Sequence, residues 1–208
     1  MTPEDFQAET DVSRETLDRL LAYVALLEKW NRAISLVSRD SLRDLWRRHM
    51  LDSAQLLPLL PEAPAGRARV ILDLGSGAGF PGLVLAILGA GAVHLVEPNR
   101  KKVAFLREAA RVTGSEVVLH EARAEALDPF PVDVVTARAC APLPRLLGLA
   151  APFLRPRIDG TPGAVGLFLK GKGADRELTD SAERWKMRVE RFPSRTDPAA
   201  QILRLKLQ

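Results

Sequence analysis

Between Leu72 and Gly82 the chain reads LDLGSGAGFPG, an apolar run that ends on an acid and then breaks into glycines at alternate positions. Gly75, Gly77 and Gly79 remove side chains where a backbone must turn tightly and where a ligand must come close. Pro81 suits the first turn of a following helix. A strand that passes into a helix through such a loop is where α/β sheets hold nucleoside-containing ligands. Glu97 closes the next apolar run, 18 residues after Gly79. A carboxylate there can accept both hydroxyls of a ribose. Ala124 and Glu125 follow the third apolar run, where backbone groups meet the edge of an adenine.

Two cofactor readings fit this loop. Gly77-x-Gly79-x-x-Gly82 matches the dinucleotide fingerprint. Asp73-x-Gly75-x-Gly77-x-Gly79 matches the loop that holds S-adenosylmethionine in Rossmann-like methyltransferases. Asp73, a charge near the end of an otherwise apolar strand, favours the second. Glu97 serves either.

The elements that must position these residues follow from periodicity. Ser13 is an N-cap candidate for a helix carrying Leu17, Leu20, Leu21, Val24 and Leu27. Residues 31–40 read as a connection, and Leu42, Leu45, Trp46, His49 and Met50 form a second amphipathic face. A Pro- and Gly-rich stretch at 61–68 marks a boundary between a helical extension, 1–64, and a main domain, 65–208. Strands are predicted at 70–74, 93–96, 117–119, 132–137, 164–170 and 202–207. Helices are predicted at 82–88, from the Asn99 cap to 112 before Gly114, at 143–154 and at 175–187. Apolar strands alternating with helices imply an α/β, Rossmann-like parallel sheet covered on both faces, here with an antiparallel edge.

Composition bounds the rest. The chain has 208 residues, 47% hydrophobic and 27% charged, the balance of a globular protein. No apolar run reaches ~18 residues, so no transmembrane helix is expected, and the acidic, polar start does not read as a secretory signal. One cysteine excludes a disulfide framework, and three scattered histidines give no metal motif. A reduced, cytoplasmic setting is expected. The net charge of +4 permits a polyanionic partner without requiring one.

The helical lead-in LLEKWNRAISLVS, the run RRHMLDSAQLLP, the loop LDLGSGAGFPG, RKKVAFLREAARV, RAEAL, VVTARACAPLPRLL and LFLKGK together span about 17–175. On these segments the chain resembles the bacterial GidB-type methyltransferases. That resemblance implies methyl transfer from S-adenosylmethionine to the N7 nitrogen of a guanine in 16S ribosomal RNA. It implies cofactor contacts at Gly75, Phe80, Ala124, Glu125 and Arg138. Trp30, Asn31, Arg48, His49, Asp52 and Ser53 match the family's N-terminal motif. Arg138 and Lys170 would face the methyl-transfer site or the RNA. The usual Asn-Leu-Thr is Ser35-Leu36-Val37 here, an Arg-His pair is replaced by Asp197–Gln201, and the stretch 157–163 is slightly long.

The residues permit that chemistry. Methylation of an exocyclic amine comes with an Asn/Asp-Pro-Pro-aromatic loop, and the corresponding position reads TARACAP. Methylation at carbon-5 needs a cysteine nucleophile, and Cys140 has no evident acid–base partner. Guanine N7 carries a free lone pair and no proton, so it needs no general base. Arg47–Arg48, Arg100–Lys101–Lys102 and Lys170–Lys172 form basic clusters suited to a phosphate track, with Asn31 and His49 as further substrate contacts. Either naked RNA or the small ribosomal subunit could be the partner. A nicotinamide-dependent oxidoreductase and a silent RNA-binding module remain as alternatives, and a monomer is the default.

Overall fold

The run VILDL is apolar apart from one acid, so it needs cover on both faces of a sheet. In the structure, a computed structural model that describes residues 1–156 and 163–208, it forms β1 (Val70–Leu74). β2 (Ala92–Val96), β3 (Val117–His120), β4 (Val134–Arg138) and β5 (Val165–Lys170) join it in parallel. β7 (Gln201–Leu207) runs antiparallel to β5, and β6 (Met187–Pro193) pairs antiparallel with β7 at the edge. Among the described residues the sheet has seven strands in the order β3-β2-β1-β4-β5-β7-β6. The order reverses between β1 and β4, which opens a crevice at their carboxyl ends.

Side chains alternate across β1. Ile71 faces a layer built from α1 (Pro3–Thr10), α2 (Arg14–Asn31), α5 (Gly82–Ile87) and α6 (Arg100–Thr113). Leu72 and Leu74 face α7 (Leu143–Leu154) and α8 (Ala174–Ala182). Residues 1–64 share the first core: Phe6, Leu20, Trp46 and Met50 belong to the same cluster as Ile71, Leu167 and Ile202. Between α2 and the sheet lie α3 (Arg39–Leu42), a π-helical turn (Trp46–Leu51) and α4 (Asp52–Ala54).

Several caps fall where the sequence places them. The Ser13 hydroxyl accepts from the Thr16 amide, the Asn99 side chain accepts from Lys101 and Lys102, and Gly114 ends α6 at φ +59°. One helix lies where none is predicted, and three expectations need correction. The polar start hides α1, which a Thr2–Asp5 capping box begins and a single apolar residue, the fully buried Phe6, anchors against Trp46. On α2 the buried stripe is Leu17, Leu20, Tyr23 and Leu27, while Leu21 is exposed, because Tyr23 packs on Phe80 and Phe105. The second amphipathic run is partly π-helical, which a face count does not reveal. The helix predicted to reach 187 ends at Ala182; Met187 and Val189 then alternate with Arg188 and Glu190, and the strand pairs Glu190 with Arg204 across the ladder. The long stretch 157–163 falls, apart from Gly163, outside the described residues.

His94 on β2 and His120 on β3 meet ring nitrogen to ring nitrogen at 2.9 Å, with Phe130 packed against both. One ring donates and the other accepts, so at most one of the two can carry an extra proton, and burial holds both below the usual 6.5. The unfolded chain takes up protons below that pH that the native pair resists. Stability is therefore full above about pH 6.5 and falls as the pH drops below it. Urea midpoints measured from pH 7.5 to 5 should decline, and His94→Gln with His120→Gln should make the decline shallower. An equal decline in the double variant contradicts this.

Candidate active site

The glycine loop is held from inside by Asp73. Its carboxylate is fully buried; one oxygen accepts the Thr136 hydroxyl of β4 at 2.9 Å and the other the Gly82 amide of α5 at 3.2 Å. Burial pushes this carboxyl up to about 6, against the pull of those hydrogen bonds. Ser76 donates its amide to the Val96 carbonyl and accepts at its own carbonyl from Gly79 and Phe80. Tyr23 reaches from α2 to donate its hydroxyl to the Ala78 carbonyl. Glu97 closes the outer side. Its two oxygens accept from the Gly77 amide at 3.0 Å and the Asn99 amide at 2.8 Å, so one carboxylate ties the loop to the start of α6.

The glycines are required by this geometry. Gly75 and Gly79 have φ of +69° and +101°. A Cβ at Gly75 would stand 2.7 Å from the Cys140 sulfur, and one at Gly79 would stand 2.8 Å from the Tyr23 hydroxyl. At Gly77 a Cβ would meet only the Gly75 carbonyl, at 3.8 Å, so this part of the loop is open.

Arg138 ends β4 beside that opening. One terminal nitrogen donates to the Arg48 carbonyl at 2.9 Å and to Asp52 at 3.0 Å; the other donates to His49 Nδ1 at 2.7 Å. The guanidinium lies over Phe80, 4.8 Å from the ring centre, and His49 stacks on the same ring at 4.6 Å. A guanidinium has only donors, so His49 Nδ1 must be the acceptor and Nε2 must carry the proton. Burial, reinforced by Arg138 and Arg48, pushes His49 down to about 3. Its Nε2 is buried without a partner. Of the five N–H groups on Arg138, these bonds use three.

These groups line one cleft of about 1070 Å³, together with Gly75, Gly77, Lys102, Cys140 and the 194–201 turn. Burial is the main cause of a raised Cys140 thiol, and the charges of Asp73, Glu97 and Glu125 add to it. Ala139, which precedes it, has φ +51°.

Of the candidate site residues, the structure brings Gly75, Gly77, Phe80, Arg48, His49, Arg138 and Lys170 to the cleft. Asp73 and Gly79 support the loop from behind, and Glu97, outside the lining, closes its outer side. Ala124 and Glu125 form a turn (Ala124–Ala126) outside the lining, with Glu125 3.6 Å from Arg145. Other residues have tasks different from those expected. The Asn31 amide accepts from Leu36 and Val37 and donates to the Val37 carbonyl, so it shapes its own loop, outside the cleft lining. Asp52, known from the sequence as part of the N-terminal motif, pairs with Arg138. Lys170 is mostly buried; its amine sits 2.7 Å from Glu177 and donates to the Ala141 carbonyl, so it is not free for a phosphate. Arg100 pairs with Glu121, and Lys101 and Lys172 are exposed outside the lining. Of the cluster 100–102 only Lys102 lines the cleft; Tyr23 and Thr196 carry parts of the site that the motifs did not assign, and for Thr196 the sequence offers no signal.

Comparison with known proteins agrees with this geometry. A ribosomal protein L11 methylase from Lactobacillus delbrueckii subsp. bulgaricus superposes with a TM-score of 0.53 at 16% identity, covering 75% of this chain and 76% of that one. An rRNA methylase from Streptococcus thermophilus gives 0.51 at 14%, covering 75% and 94%. The fold is that of the Rossmann-like, S-adenosylmethionine-dependent methyltransferases. The sequence narrows this class. The Rhodospirillum rubrum ribosomal RNA small subunit methyltransferase G is 61% identical over 99% of this chain and 97% of its own length. The Cereibacter sphaeroides protein of that name is 45% identical over 99% and 98%. The family GidB, rRNA small subunit methyltransferase G, matches residues 16–202, and the chain belongs to it.

The Lys170 geometry gives a direct test. Glu177 also accepts the Leu143 amide at 2.6 Å, so the pair fixes the start of α7. Lys170→Ala should cost about 2 kcal/mol in urea unfolding, less than a fully buried pair because Glu177 keeps some exposure. Lys172→Ala should stay within about 0.5 kcal/mol of wild type. Equal effects from both variants contradict the structural role of Lys170.

Proposed function

We propose that this methyltransferase moves the methyl group of S-adenosylmethionine to N7 of a guanine in 16S ribosomal RNA. We propose also that it works as a cytoplasmic monomer on the RNA or the small subunit. Among the described residues no helix is long and apolar enough to cross a membrane. The observation that carries the choice of acceptor atom is the match to the family GidB, rRNA small subunit methyltransferase G, over residues 16–202, and the histidine, thiol and amine of the cleft are in keeping with it. The His49 lone pair is committed to Arg138, the Cys140 thiol is held protonated, and the Lys170 amine is paired with Glu177. An acceptor with a lone pair and no proton suits such a cleft.

The residues present fit the cofactor. The loop is open at Gly77, and each Glu97 oxygen keeps a lone pair for a ribose hydroxyl after accepting one amide. Two Arg138 N–H groups are left for a carboxylate or a base edge. S-adenosylmethionine, when bound, supplies an electrophilic methyl group on a sulfonium. The chain positions: the loop amides and Glu97 hold the nucleoside, and Arg138 orients the group beside it. Phe80, stiffened between Tyr23 and His49, gives the guanidinium a flat seat. N7 lies in the deep groove of paired A-form RNA, beyond the reach of side chains, so the target guanine must be presented unpaired.

Labelled S-adenosylmethionine, incubated with small subunits and with 16S RNA, should label a single guanine at N7, mapped by strand scission. No transfer to either form refutes the reading, and a melting shift with NAD alone would favour a dehydrogenase. Glu97→Ala should weaken cofactor binding by roughly 1.5–3 kcal/mol in calorimetry, and unchanged affinity would reduce Glu97 to a loop clamp.

A further inference from the structure

The turn between β6 and β7 forms one wall of the cleft, yet its attachment does more than hold it there. Gln55, buried below it, accepts the Arg195 amide at 2.8 Å, and Arg195 reaches Glu9 at 2.7 Å. These contacts dock the turn. Thr196 adds a different one: its hydroxyl donates to Asp52 Oδ1 at 2.7 Å. The other oxygen of that carboxylate is the one that holds Arg138. Because the Thr196 proton goes to Asp52, the hydrogen bond of 3.0 Å between Ser194 and Thr196 must be donated by Ser194. The donors therefore run in one direction, Ser194 to Thr196 to Asp52, and Arg138 completes the line by donating to both Asp52 and His49.

A carboxylate can rotate about its Cβ–Cγ bond, and a rotation at Asp52 would swing the oxygen that Arg138 needs. Gln55 donates to Oδ1 at 2.9 Å, and Thr196 donates to the same oxygen from the other element. Two donors from different directions fix the plane. We propose that Thr196 is a positioning residue: acting through Asp52, it sets the orientation in which Arg138 faces the cleft. What Arg138 then touches rests on the function proposed above; the positioning itself does not.

The test uses the full chain, labelled with nitrogen-15. In wild type the His49 ring should show the neutral Nε2–H form with Nδ1 accepting, assigned by comparison with His49→Gln. Thr196→Val removes the hydroxyl at nearly constant shape. It should shift the His49 Nδ1 resonance and raise the dissociation constant of S-adenosylhomocysteine about tenfold, the scale of one charge-assisted hydrogen bond. Thr196→Ser should restore both. In an Asp52→Asn background Thr196→Val should add nothing, since the two act in series. Ser194→Ala loosens the same turn but leaves the Thr196 hydroxyl, so its His49 signals should match wild type. The proposal is overturned if Thr196→Val leaves ring signals and affinity unchanged, or if the signals move while the affinity does not. It is also overturned if the effects of Thr196→Val and Asp52→Asn add, or if Ser194→Ala reproduces the valine variant. Methyl transfer by wild type, measured separately, tells a failure of this link from a failure of the assigned reaction.

Discussion

A single buried carboxylate holds the crevice in shape. Asp73 joins three elements that meet at the switch point: β1 by its own backbone, β4 through Thr136, and α5 through the Gly82 amide. Removing a carboxylate from water is costly, and its raised pKa records that cost. The cost is offset only while all three partners stay in place, so the loop between β1 and α5 has one geometry in which the charge is satisfied. Gly82 shows how tight the arrangement is: a Cβ there would stand 2.7 Å from Asp73 Oδ2. The glycines at 75, 77 and 79 then follow, because a loop pinned at both ends by one carboxylate must reverse in few residues with positive φ.

The helical extension is part of this site by the same reasoning. A free sheet with its first core face exposed could not hold Phe80 in place. Tyr23 from α2 packs against it, and the π-helical turn brings His49 onto its other side. Phe80 then carries Arg138, whose neighbours Arg48, His49 and Asp52 all come from the extension. The cleft therefore exists only as a joint product of residues 1–64 and the sheet. This explains why Gln55 and Glu9 reach across to the β6–β7 turn.

The sheet and the loop were legible because their physics is local. Continuous apolar strands, glycines at alternate positions, an Asn cap and a Gly stop leave marks at fixed spacing. Strand 70–74 and helix 143–154 match the structure to the residue. The basic clusters were less legible, since a lysine reads the same whether solvated or paired. Lys170 looks like its neighbour Lys172 in sequence; only the fold brings Glu177 within 2.7 Å of one and leaves the other in solvent. Asn31 likewise matches a motif, yet its amide serves the 36–37 backbone. Contacts such as Thr196 to Asp52, 144 residues apart, depend wholly on topology and leave no trace in spacing.

Charge balance in the cleft bears on the acceptor. Alkylating guanine at N7 turns a neutral base into a cation, so an unpaired arginine beside it would oppose the reaction as the bond forms. Arg138 is paired with Asp52, and the pair is mostly buried, where the compensation is strongest. A protonated His49 would undo this balance by placing a second cation on Phe80. Burial, reinforced by the guanidinium that binds Nδ1, holds the imidazole neutral, so the two groups share one hydrogen bond and one positive charge between them. A neutral histidine, a neutralised arginine and an aromatic seat give a surface that grips polar edges by donated hydrogen bonds without presenting net positive charge. Such a surface accommodates a base that gains positive charge during the reaction, while Arg47, Arg48 and Lys102 add their cations elsewhere in the same cleft.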